Sequence, residues 1–207
     1  MTILTFPVLA YNAFDKYNLM LNANSLSFRS PLSNAVQTVE MPGALWAADF
    51  TLRPGVLADE RAILAFLASL RGEAGRFWFW DISGKSAAFN QTAFPLVNGT
   101  NPVRNLLYTY GWSVTPGATI LKAGDLLGVQ TTSSQSELKM VTQNVVCTDG
   151  TNASFTIEPP LRADTINASS VVLVKPVCLM KLTDNTQCVN IAGDIASFSL
   201  KFEEVLS

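Results

Sequence analysis

The amino-acid sequence predicts a mainly β fold that carries one amphipathic helix. Three observations predict it. Apolar and polar residues alternate in several runs, short β-type runs recur between turn signals, and one segment alone has helical spacing.

In chain order, Leu26 and Phe28 alternate with Ser25, Ser27 and Arg29 until Pro31 ends the run. Trp46, Ala48, Phe50 and Leu52 alternate with small or polar partners until Pro54 and Gly55. A period of two points alternate side chains to opposite faces, so both runs are expected to be half-buried strands. The period then changes. Ile63, Phe66, Leu67 and Leu70 fall at i, i+3, i+4 and i+7, one stripe of a helix between Leu57 and Leu70. Asp59 and Glu60 stand in its early turns, where negative charge suits the helix dipole. Arg71 closes the last turn, and Gly72 occupies the place of a left-handed C-cap. The next run, Arg-Phe-Trp-Phe-Trp-Asp at 76–81, is aromatic enough for a strand covered on both sides.

From about Gly84 the character shifts. Ser, Thr, Asn and Gly rise, and turn signals recur at Asn98-Gly99, Pro116-Gly117, Gly124-Asp125 and Asp149-Gly150. Short β-type runs lie between and after them, at 126–130, 138–142, 154–158 and 171–174. This spacing suggests a small barrel or sandwich. After Pro176 longer runs return. In the last, 197–205, Phe198, Leu200 and Phe202 share one face, and Ser199, Lys201 and Glu203 the other. The expected layout is one domain from residues 1–83, completed by 177–207, with an all-β domain of residues 84–176 inserted. The ends of the insert, at 81–84 and 175–177, should then lie close together, and the host domain should fold without it.

Composition narrows the function. The 207 residues are 48% hydrophobic but only 14% charged, with a net charge of −2. That charged share is well below the usual quarter. It fits a chain whose surface ends against other subunits, and equally a β-rich domain with a Ser/Thr/Asn surface. No basic cluster marks a nucleic-acid surface, and no apolar stretch approaches the ~20 residues of a membrane span. Residues 1–10 lack the pattern of a signal peptide, so synthesis in the cytoplasm is expected. Cys147, Cys178 and Cys188 are odd in number and form no CxxC, which favours free thiols. The N-x-S/T sequons at Asn90, Asn98, Asn152 and Asn167 read as chance matches.

Chemistry-bearing patterns are weak. The chain has no histidine, the commonest general base and metal ligand. The Ser–Lys pairs Lys85/Ser86 and Ser136/Lys139 have spacings common by chance. Asp59-Glu60 and Glu203-Glu204 read as solvated surface rather than a glycosidase pair. Asp149-Gly150 reads as a hairpin turn rather than a calcium loop. Phosphate-binding glycine motifs are absent. Trp46, Trp78, Trp80 and Trp112 suit core or interface anchors better than sugar platforms. The reading is a non-enzyme with no catalytic residue, no cofactor and no metal.

The order of several landmarks carries a resemblance. They are Pro42-Gly43-Ala44-Leu45-Trp46, Phe50-Thr51-Leu52-Arg53-Pro54, and the stretch from Ala65 through Leu70-Arg71-Gly72-Glu73-Ala74-Gly75-Arg76-Phe77. Gly111-Trp112, Leu121-Lys122-Ala123-Gly124-Asp125, Glu158-Pro159-Pro160-Leu161-Arg162 and Phe198-Ser199-Leu200-Lys201-Phe202-Glu203-Glu204-Val205 follow, so coverage is nearly end to end. The chain resembles the distal tail proteins of siphophages, ring proteins of the tail tip and baseplate. The resemblance implies a β-sandwich belt domain that closes into a ring, taken as a hexamer, with a small β-barrel or galectin-like domain projecting from it. It also implies tail tube and tail hub proteins as partners and the virion tail tip as location. One related branch holds an iron–sulfur cluster, which needs about four thiolates; three widely spaced cysteines do not supply them. Arg71, Glu73 and Arg76, beside the turn and without evident structural duty, are the expected contacts to the next subunit or tube ring. Two competing readings are a carbohydrate-binding host-attachment module in residues 84–176, with Trp112 as the stacking residue, and a hydrolase of cell-wall polymer.

Overall fold

The computed structural model describes residues 3–7, 14–52, 57–83, 94–132, 135–185 and 199–205. Pro54-Gly55, Lys85/Ser86, Asn90, Cys188 and Phe198 lie outside them, as do the side chains of Asp59 and Glu60. The fold is mainly β, with 49% strand and one helix.

A six-stranded sheet, in the order β1-β6-β14-β15-β5-β2, joins the two ends of the chain. Its strands are β1 (Leu4–Thr5), β2 (Phe14–Asn22), β5 (Leu45–Leu52), β6 (Phe77–Trp80), β14 (Val177–Leu182) and β15 (Ser199–Glu204). β1 runs parallel to β6, and the other pairs are antiparallel. The register sets Trp46, Ala48 and Phe50 beside Phe202, Met180, Cys178, Phe77 and Phe79 on one face. α1 (Leu57–Leu70) lays its stripe of Ile63, Phe66, Leu67 and Leu70 into this core, as its spacing predicts. Phe6 sits at the centre of the aromatic cluster, edge-on to Phe50, Phe66, Phe79 and Phe202. α1 ends in a left-handed step at Arg71 (φ 57°) and Gly72 (φ 71°), followed by a 3-10 turn over Gly72–Ala74. The left-handed conformation thus begins one residue earlier than expected.

A five-stranded sheet follows, in the order β10-β11-β13-β8-β7. It is built from β7 (Leu96–Val97), β8 (Leu106–Tyr110), β10 (Leu126–Thr132), β11 (Gln135–Val141) and β13 (Asn152–Glu158). The pair β9 (Ala118–Leu121) and β12 (Val145–Cys147) contributes Ile120, Leu121, Val145 and Cys147 to the same core as Val129, Leu107, Phe155 and Ile157. Among the described residues no closed barrel forms, so of the barrel or sandwich expected for residues 84–176 the barrel is not the one seen. Asp149-Gly150 does not close a hairpin, because β12 pairs with β9 while β13 pairs with β8 and β11. There the Asp149 carboxylate accepts the backbone N–H groups of Thr151 and Asn152. These bonds, with one from the Asn152 side chain, hold its carboxyl down at about 2. Residues 171–174 alternate in burial as a strand would, yet Val172 makes only an isolated bridge to Gly128. Positive φ at Ala168 and Lys175 turns the chain on either side.

β10 and β11 belong to both cores. Leu126 and Leu138 pack with Trp46 and the six-stranded sheet, while Leu127, Val129 and Val141 face the second core. Alternation along a strand supplies both faces at once. The Trp46 indole donates to the Leu138 carbonyl at 2.8 Å across this boundary. Trp80 and Val177 are register partners, so the chain leaves and re-enters the six-stranded sheet at adjacent points. The host sheet nevertheless does not stand free of residues 84–176, because it uses Leu126 and Leu138 as cover. Removing residues 84–176 would take that cover from Trp46 and its neighbours.

One stretch departs from expectation more sharply. Among the described residues β3 (Ser25–Arg29) and β4 (Val36–Glu40) pair only with each other, and every residue in both is exposed. Leu26 and Phe28 alternate as read, but no core meets them.

Two substitutions test the helix and its end. Leu67→Ala removes a side chain that is 2% exposed and should cost about 2–5 kcal/mol. Gly72→Val places a Cβ 2.6 Å from Asn185 Oδ1 at positive φ and should also destabilise. Urea or thermal unfolding of the full chain checks both; a wild-type midpoint for Leu67→Ala would remove α1 from the core.

Candidate assembly surface

The chemistry of the molecule gathers at the boundary between the two cores. Glu204, on the core face of β15, is buried and meets Arg162 bidentately, at 2.7 Å through Nη1 and 2.6 Å through Nη2. The same guanidinium donates to the Ala44 carbonyl, and the Glu204 carboxylate accepts the Trp46 backbone N–H. Glu137 accepts the Arg162 backbone N–H and pairs with the fully buried Lys139 ammonium at 2.7 Å. Lys139 also donates to the Pro160 carbonyl. Burial alone would lower the Arg162 pKa, but its bonds to Glu204 raise it above the ordinary value. Burial pulls Lys139 down, against the opposing pull of Glu137.

This arrangement corrects one sequence reading. Glu204 is not solvated surface; even spacing from Phe202 places it on the buried face. Ser136 and Lys139 are no catalytic dyad, because a spacing of three along a strand points them to opposite faces. Lys139 is instead committed to Glu137 and Pro160.

The three residues expected at an interface lie together on the turn after α1. Arg71 is exposed. Glu73 is half-buried, and its backbone N–H donates to Asn185 Oδ1 at 3.1 Å. Arg76 has a structural duty that the sequence did not reveal. Its Nη1 donates to the carbonyls of Glu73, Ala74 and Gly75, which ties the turn down.

Exposed apolar side chains also gather elsewhere, on the β3–β4 arm. Cross-strand pairing sets Leu26 beside Val39 and Phe28 beside Gln37 on one face, with Ser25, Ser27, Arg29, Val36, Thr38 and Glu40 on the other. Leu26 is 65% exposed, Phe28 68% and Leu32, at the tip, 97%. The arm is internally ordered. Ser30 and Asn34 close its tip by backbone bonds, and Asn24 Nδ2 donates to the Pro42 carbonyl at its base. Below that base opens a groove of about 670 Å³ between Glu40–Ala44 and Pro159–Arg162. Sequence reasoning missed the arm because alternation specifies a strand with two unlike faces, not what covers the apolar one. The available signal was punctuation: Asn24 and Pro42-Gly43 break both strands at the same level and detach a short hairpin from the sheet.

The remaining candidates are structural. Trp112 is wholly buried, its indole N–H donates to Thr109 Oγ1, and its ring meets Phe155 edge-on. It therefore offers no face to a sugar. Cys147 and Cys178 are free and buried, and burial raises both thiols. Among the described residues no three His, Cys, Asp or Glu side chains gather as a metal site, and no helix is long and apolar enough to cross a membrane.

The fold and surface together define a class: a mainly β protein with two cores sharing one strand pair, and with an apolar arm left outside both. No protein-family model matches the chain, and no curated protein matches it either.

Two measurements test these assignments. Glu204→Ala leaves the half-buried Arg162 uncompensated and should cost about 3 kcal/mol in urea unfolding, with Arg162→Met in the same chain recovering part of the loss. A loss below about 1 kcal/mol would show that the pair does not hold the boundary. Trp112→Ala should lower stability by about 3–5 kcal/mol; a folded, equally stable variant that had lost binding on a glycan array would instead restore the carbohydrate reading.

Proposed function

We propose that the chain is a structural virion protein without enzymatic activity, a subunit of a ring at the distal end of a phage tail. The ring joins the tail tube to the tail-tip hub and its attachment parts. The observation that carries this reading is the β3–β4 arm. A two-stranded hairpin is marginal by itself in water, and this one turns Leu26, Phe28 and Leu32 outward. Contiguous exposed apolar surface of this kind marks an interaction site. A low charged fraction supports the same reading, since an assembled subunit needs less charge on its surface. The tail itself comes from the resemblance, as do the hexameric count and the tube and hub partners.

Mass photometry and negative-stain images of the full chain, alone and mixed with tail tube protein, are expected to show closed rings. Immunolabelling is expected at one end of purified tails. A chain that forms no ring under either condition and is missing from tails would end the proposal. Arg71→Glu should leave the melting temperature unchanged and reduce assembly. Arg76→Glu should lower the melting temperature as well, because its guanidinium holds three carbonyls of the turn. Normal assembly of Arg71→Glu would remove that residue from the interface.

A further inference from the structure

The arm and the groove lie on one chain, yet the arm does not fill its own groove. Residues Glu40, Met41 and Pro42 are at once the foot of β4 and one wall of the groove. The tip around Leu32 stands roughly 17 Å beyond that foot, at about 3.4 Å per residue of an antiparallel strand. Between foot and tip the ladder Ser25↔Glu40 through Arg29↔Val36 is continuous. A paired ribbon this short does not fold back on its base. Among the described residues, therefore, none of the same chain covers the apolar face or fills the groove.

The two surfaces suit each other in chemistry. The opposite wall of the groove is Pro159, Pro160 and Leu161, a stiff apolar edge. Its volume of about 670 Å³ lies in the range of about 300–1,000 Å³ in which proteins seat a ligand. Its charges are uneven. Arg104 is paired with Asp164, and Arg162 with Glu204. Among the charges that line the groove, Glu40 makes no ion pair among the described residues. Its carboxylate stands across from the apolar wall. The outer part of the arm, residues 26–36, has a single charge, Arg29, which has no ion-pair partner among the described residues.

We infer that the arm of one copy docks in the groove of a second copy of this chain, with Leu32 and Phe28 against the Pro159–Leu161 wall and Arg29 facing Glu40. The inference rests on the ring reading and names the contact that builds the ring. The contact joins unlike surfaces, so each copy gives an arm to one neighbour and receives an arm from the other.

A crosslinking experiment on the full chain tests it. Two proteins are made, each with Cys188→Ser, one with Leu32→Cys and one with Met41→Cys. Cys147 and Cys178 are buried and stay as they are. Mixed under mild oxidation, the pair is expected to give a disulfide heterodimer that neither protein gives alone. In parallel, Arg29→Glu and Glu40→Arg are each expected to weaken self-association about ten-fold, and the double variant to return within about three-fold of wild type. Leu32→Asp should abolish assembly with an unchanged melting temperature, since its side chain touches no core.

The outcomes separate the two ideas. Closed rings without the crosslink, or with Leu32→Asp assembling as wild type, overturn the arm-in-groove contact and leave the ring standing. The crosslink in open chains that never close keeps the contact and removes the ring. A crosslink that appears only when tail tube protein is added, between Leu32→Cys and that protein, overturns the second copy as occupant. Neither ring nor crosslink removes both.

Discussion

A buried carboxylate must find a cation, and in this chain that requirement joins three distant pieces of sequence. Glu204 comes from the last strand, Arg162 from the loop after Glu158-Pro159-Pro160, and the Trp46 N–H and Ala44 carbonyl from the entry to β5. Taking Glu204 out of water is costly unless its oxygens are satisfied. They are satisfied only when the six-stranded sheet and the loop beyond β13 stand in one relation. Hydrophobic contact between Leu138, Leu126 and Trp46 brings the two cores together without strict direction. The bidentate pair and the indole-to-carbonyl bond supply the direction. The rest of the fold is hung on this junction, including the groove, whose floor and wall include Arg162 and Pro160.

The sequence showed much of the local structure and little of its cover. The helix was legible because four apolar residues at helical spacing leave no other period, and Gly72 because a helix end needs a residue tolerant of positive φ. The β6 aromatics were legible as a strand, yet only Phe77 and Phe79 are buried, and Trp78 and Trp80 on the other face are half-buried. The fate of Leu26 and Phe28 was not, since the same alternation serves a strand on a core and an arm in solvent. Glu204 was misread for a related reason. Its neighbour Glu203 is half-exposed and pairs with Lys181 on the other face, and adjacent acidic residues give no sign of which one turns inward. Arg162 lay in a recognised landmark, yet its partner is 42 residues away, beyond any local pattern. Arg76 shows a further limit, because a side chain that folds back on three carbonyls of its own turn looks like any exposed arginine in sequence.

The low charged fraction now divides into two physical parts. Strands β10 and β11 present apolar residues to both cores, which consumes sequence that would otherwise carry charge. The arm presents apolar residues to water, which a solitary protein has little reason to keep. Only the second part speaks to assembly. Composition alone joined the two, which is why it fitted a β-rich monomer and an assembled subunit equally well.

Unlike surfaces on one rigid chain also constrain what an assembly can be. A patch that binds itself makes a two-fold dimer and stops. An arm that enters a different surface on the next copy repeats, and the fixed angle between arm and groove decides whether the repeat closes as a ring or continues as a filament. That angle has few soft points here. The arm leaves the sheet where Asn24 bonds the Pro42 carbonyl, and the groove wall leaves it where Arg162 holds both Glu204 and the Ala44 carbonyl. Ala44 and Pro42 are two residues apart, so the foot of the arm and the wall of the groove are braced to the same short segment. The junction that orders the two cores is therefore the same one that sets the geometry between donor and acceptor surfaces. If the arm enters that groove, a change at Glu204, whose partner Arg162 lines it, would act on assembly geometry as well as on stability.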